Sequence, residues 1–99
     1  MRIYKSKFRV ESDEVQGPGS WVEFQRPTWG MISNIPESDR TGRRLLEVAI
    51  LDWNWTDDNG DPLPLPKDAP GLLENIPQQE SNWLSENAGM TRNAEAQKN

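Results

Sequence analysis

The sequence predicts an α+β fold for one small domain, on three observations. The first twenty-five residues hold two stretches of alternating polar and apolar positions; Ser38 to Leu51 and Asn75 to Gly89 carry apolar residues at helical spacing; and residues 53–66, WNWTDDNGDPLPLP, place an acidic turn between two tryptophans and a run of alternating prolines. A chain of 99 residues buries roughly 60–70% of the surface that its unfolded form exposes, enough for one thin core. The expected architecture is an N-terminal antiparallel β-hairpin packed with two to three helices and a second, short hairpin edged by proline. Residues 1–89 form that single domain, and 90–99 a disordered tail.

In RIYKSKFRV, Tyr4, Phe8 and Val10 fall on one face and Ile3, Lys5, Lys7 and Arg9 on the other, the period-2 pattern of a half-buried strand. Glu11 to Gly19 reads as a long acidic loop, because Gly17-Pro18-Gly19 cannot continue regular structure. SWVEFQ returns as a second strand with Val22 and Phe24 on one face, and Pro27 stops the sheet. Thr28 then suits the N-cap of a two-turn helix carrying Trp29, Ile32 and Ile35, with Pro36 beyond its end.

Ser38 to Leu51 is the longest helix candidate. Leu45, Leu46, Ala49, Ile50 and Trp53 recur at helical spacing, Arg43, Arg44 and Glu47 face water, and Gly42 weakens the first turn. A competing reading makes Glu47 to Trp55 a strand, since Val, Ile and Trp favour sheet; helix through about Leu51, then extended chain, is preferred. Near the C-terminus, Asn75 with Gln78 three residues on and Pro77 between them marks a helix start. Ile76, Trp83 and Leu84 share a face of that helix until Gly89 ends it. After Met90 there is no apolar anchor to offset the entropy of ordering the chain.

Composition removes several function classes. With neither cysteine nor histidine, the chain has no disulfide framework, no thiol chemistry and no ordinary zinc ligand set, and a general base near neutral pH would have to be a strongly perturbed carboxylate or lysine. The sequence therefore predicts no enzyme and no cofactor. A net charge of -5 argues against nucleic acid and anionic lipid as partners, and the longest aliphatic run, Val48 to Leu51, is far short of a membrane span. A soluble, cytoplasmic protein is expected. The cations Arg2, Lys5, Lys7 and Arg9 fit the wet face of a strand better than a phosphate-binding arm.

Three readings compete for the acidic turn. As a calcium loop with Gly60 at its sixth position, it would need ligands from Trp55 and Pro66, which have none to give. As a polyproline ligand, PLPLP is a weak signal. As a hairpin, Asn59-Gly60 forms a type I′ turn, and Asp58 pairs with Asp61, Thr56 with Leu63, Trp55 with Pro64 and Asn54 with Leu65. Pro62, Pro64 and Pro66 then fall where the ladder needs no N–H, and they leave that edge unable to accept another strand.

The stretches WVEFQRPTWG at 21–30 and LLEVAILDWNWTDDNGDPLPLP at 45–66, with a final helix bearing Trp83 and Leu84, cover most of the chain. Together they resemble the small tail assembly chaperones of long-tailed, siphovirus-type bacteriophages. The resemblance implies a non-catalytic protein of the host cell cytoplasm. It would coat the long, largely helical tape-measure protein and recruit tail-tube subunits during tail morphogenesis, with weak self-association and no small-molecule substrate. A structural virion component, in the tail or at the head, and a small acidic inhibitor of a host protein are the alternatives. Five tryptophans exceed what so thin a core needs, and part-exposed tryptophan suits recognition surfaces. Trp21 and Trp29 are assigned to the core, and Trp53, Trp55, Leu63, Leu65, Trp83 and Leu84 to a partner-binding surface.

Overall fold

The computed structural model describes residues 5–37 and 42–88, so the expected strand residues before Lys5, the start of the Ser38 helix, Gly89 and the expected tail lie outside the described residues. The fold is α+β. Three antiparallel strands, β1 (Lys7–Glu11), β2 (Trp21–Gln25) and β3 (Ile50–Trp53), form a sheet in the order β1-β2-β3. Helices α1 (Asp13–Gln16), α2 (Trp29–Ser33), α3 (Gly42–Ala49), α4 (Leu72–Asn75) and α5 (Gln78–Ala88) surround it, with a 3-10 turn at Pro66–Asp68.

The N-terminal hairpin follows the sequence pattern. Phe8 pairs with Phe24 and Val10 with Val22, so the apolar positions of both strands meet on one face, while Lys7, Arg9 and Glu11 stay exposed on the other. The loop between them is not irregular throughout. Asp13–Gln16 closes one helical turn, in which the Ser12 carbonyl accepts from Val15 and Gln16 N–H, and Gly17 leaves it at φ 91, a conformation that a side chain would strain. Thr28 caps α2 as its sequence position suggests, its hydroxyl accepting from Met31 N–H at 3.1 Å.

The segment from 42 to 53 resolves the competing readings by dividing. It is helix to Ala49 and strand from Ile50, and β3 joins the N-terminal hairpin as a third strand that the sequence reading did not place there. Glu23 pairs with Asp52 but Phe24 with Ile50, leaving Leu51 as an extra residue in a β-bulge. Ile50 and Trp53 lie an odd number of residues apart and would occupy opposite faces of a regular strand. The bulge returns both to the core.

The second hairpin exists, but its register is one residue away from expectation. Thr56 bridges Pro62, Asp57 N–H donates to Asp61 O at 2.9 Å, Gly60 N–H to Asp57 O at 3.0 Å, and Leu63 N–H to Trp55 O at 2.9 Å. This is a three-residue connection with Gly60 at φ 83, in place of the two-residue type I′ turn. The Asp57 carboxylate decides the difference: its Oδ1 accepts from Asn59 and Asp61 N–H at 2.9 and 3.0 Å, holding the wider turn. Trp55 therefore lies across from Leu63, not Pro64, while the prolines still alternate with the bonded positions.

The last helix also starts later than expected. Asn75 ends α4, where its side-chain amide donates to Gly71 O, and Pro77 opens α5, its carbonyl accepting from Glu80 and Ser81 N–H. The short α4 turn lets Leu73 reach the core before α5 begins, and Ser81 Oγ donates to Leu73 O to join the two. Val22, Phe24, Leu46, Ile50, Leu73 and Leu84 fill the core together with Trp53, Trp55 and Trp83.

Candidate functional site

The three tryptophans expected at a contact surface are interior. Trp53, Trp55 and Trp83 are 6%, 1% and 5% exposed, and Leu84 is fully buried. Their indoles belong to one run of aromatic contacts: Trp53 stacks on Trp55 at 4.7 Å with ring planes 5° apart, Trp55 meets Trp83 at 5.9 Å, Trp83 meets Phe24 at 6.5 Å, and Phe24 meets Phe8 at 5.4 Å.

Burial is possible because each indole N–H has an acceptor. Trp53 Nε1 donates to Leu63 O at 3.2 Å, Trp55 Nε1 to Ser12 Oγ at 2.9 Å, and Trp83 Nε1 to Glu14 Oε1. Ser12 in turn donates to Ser20 Oγ at 2.7 Å, and Ser20 to Gly17 O at 2.8 Å, so the buried chain of donors ends at a backbone carbonyl. Two of the three acceptors come from Ser12 and Glu14, in the segment that sequence reads as an acidic loop. Between the two hairpin tryptophans, Asn54 faces the other way. Its side chain accepts from Trp21 N–H at 2.9 Å and donates to Gly19 O at 3.0 Å, extending the sheet edge as a strand residue would.

Trp21 and Trp29, assigned to the core by sequence, are its outliers. Trp29 is 86% exposed at the head of α2. Trp21 lies half-buried on the outer sheet face, where the Arg9 guanidinium sits 4.0 Å from its ring centroid. The expectation fails at both because a count of aromatic residues carries no information about which face of a two-sided sheet or one-turn helix each one occupies.

The surface instead offers a groove of about 890 Å³ between the acidic turn, α1 and the α4–α5 corner. Val15, Leu63, Leu72, Ile76 and Pro77 form its apolar part, and all but exposed Pro77 are only partly buried against the core. Of the six sequence-assigned contact residues, Leu63 lines this groove; Leu65, also half-buried, does not. Asp57, Asp58, Glu74 and Glu80 line it as well, with no lysine or arginine among the described lining residues.

Gln16 fixes one wall. Its side-chain amide exchanges hydrogen bonds with the Thr56 backbone, Thr56 N–H to Oε1 at 3.1 Å and Nε2 to Thr56 O at 3.2 Å, and also donates to Glu80 Oε2 at 2.8 Å. α1, the hairpin and α5 are thereby joined at one side chain. Burial raises the Glu80 pKa above its ordinary value; the Gln16 bond opposes the shift, and the nearby Asp58 charge adds to it. Such a wall can bind and orient a partner. Among the described residues, no group of three or more carboxylates could hold a metal ion, and no helix is long and apolar enough to cross a membrane. The chain matches no protein-family model, no curated protein and no solved structure.

Proposed function

We propose that the chain is a non-catalytic tail assembly chaperone that binds a phage tape-measure protein and passes it to tail-tube subunits in the host cytoplasm. The observation that carries this reading is the groove: partly exposed Val15, Leu63, Leu72 and Ile76 lie beside one another on a wall held by Gln16, in a chain with no histidine or cysteine for catalysis. The resemblance of residues 21–30 and 45–66 to the chaperone family supplies the identity of the partner. A chaperone that is later displaced needs modest individual contacts, with coverage of a long partner coming from many copies. An open groove with four half-buried apolar side chains suits such a contact better than a deep pocket would.

The test is co-expression with a phage tape-measure protein from the same genome. The chaperone reading expects the tape-measure protein to stay soluble and to co-purify with this chain, and the chain to be absent from finished particles. A tape-measure protein that aggregates equally with and without it would overturn the reading. Recovery of the chain in stoichiometric amounts from purified particles would point to a virion component.

A further inference from the structure

We propose that the groove takes a cationic amphipathic helix, lysine- or arginine-bearing on its flanks and aliphatic on the face that enters. The proposal names the chemistry of the segment bound, and so rests on the binding role proposed above. Among the described residues, Asp57, Asp58, Glu74 and Glu80 line the groove with no lining cation, and the ion pair from Arg43 to Glu74 at 3.9 Å joins side chains that are 62% and 61% exposed and so compensates little. A concave surface of one sign concentrates the opposite charge, an attraction that added salt screens. Between the carboxylates, Val15, Leu63, Leu72 and Ile76 present apolar area that a purely polar cation would leave uncovered.

The backbone selects a helix over a strand. An extended segment binds by pairing with free N–H and C=O groups, but most donors of the hairpin wall are already engaged. Thr56 N–H is held by Gln16, Asp57 N–H by Asp61, Asn59 N–H by Asp57, and Leu63 N–H by Trp55, while Pro77 has none. A wall with so few free donors favours recognition through side chains, which is how an amphipathic helix lies in a groove. A volume of about 890 Å³ matches roughly two turns of a helix some 10–12 Å across.

The probe is a synthetic amphipathic peptide of about five helical turns, leucine on one face and lysine on the other, alongside a copy with glutamate at every lysine position. Titration at low salt should give saturable binding of the lysine peptide, weakened by added salt, and none of the glutamate peptide. Asp58→Asn, Glu74→Gln and Glu80→Gln together should weaken binding by about tenfold or more. The control triple Glu11→Gln, Glu23→Gln and Glu37→Gln changes net charge equally but lies outside the groove, and it should change binding by less than about threefold. Equal loss in the two triples would mean unspecific attraction to an acidic protein and would overturn the proposal. So would binding of the glutamate peptide, or of neither peptide, to the wild-type chain. Peptide binding without capture of the tape-measure protein would fault the chaperone reading alone; capture that survives the groove triple would fault the groove.

Discussion

Ser12 has a hydroxyl smaller than any ring it serves, yet it accepts from the Trp55 indole and donates to Ser20, and its carbonyl starts the α1 turn. Ser12→Ala leaves the Trp55 indole N–H without a partner inside the protein, a loss of about 1–3 kcal/mol, while Ser20 keeps its bond to Gly17 O. Trp55→Ala adds a cavity and should cost roughly 3–5 kcal/mol, whereas Trp29→Ala should fall within about 0.5 kcal/mol of the wild type. Urea unfolding of the three variants checks the ranking, and a neutral Trp55→Ala would contradict the buried position of that ring. Glu80 provides a pH-dependent counterpart. Because burial raises its pKa in the folded state, the protonated form favours folding below the unfolded pKa, and that advantage disappears as pH rises through the folded value. At neutral pH the ionised carboxylate is a net cost. Glu80→Gln should therefore gain in melting temperature relative to the wild type between about pH 4 and pH 7, with little difference at the acid end.

Among elements, the strands of the first hairpin and the capped α2 turn were legible because each rests on local pattern: alternation for β1 and β2, a threonine hydroxyl for α2. β3 was obscured by its own bulge. Leu46, Ala49, Ile50 and Trp53 are all buried at intervals of three and one, so helical periodicity runs unbroken across a boundary where the backbone changes from helix to strand. The α1 turn was missed for the opposite reason: DEVQ has no apolar period, and what fixes it is the distant indoles its neighbours hold. The acidic turn was placed correctly but one residue out of register, since Asn-Gly alone does not reveal that Asp57 will hold the backbone of Asn59 and Asp61. Its Gly60, at φ 83, is open to space, so Gly60→Ala tests conformation without a clash and should destabilise by about 1–2 kcal/mol in thermal or urea unfolding. Gly60→Asn should cost less, and equal stability of all three would exclude the left-handed turn.

For the molecule as a whole, the α+β class and the single core were readable from alternation, helical spacing and size, but the division of tryptophans between core and surface was inverted. Size suggested that five indoles could not all be buried. The core accommodates three by stacking them against one another and against Phe24, so that aromatic rings supply much of their own environment. The groove was invisible for a related reason: Val15, Leu63 and the pair Leu72 and Ile76 come from three separate stretches and share no motif. What sequence did convey is the excess of carboxylate around it, although not that four of them face one concavity.

The α1 turn stands between that concavity and the rings. Val15 and Gln16 line the groove, while Glu14 and the preceding Ser12 hold the indoles of Trp83 and Trp55, so a single helical turn touches the groove on one side and two chromophores on the other. Indole emission responds to the dipoles and charges beside the ring. If a segment docks as proposed and shifts α1, the emission of these two residues should change with occupancy, an intrinsic optical readout of the groove.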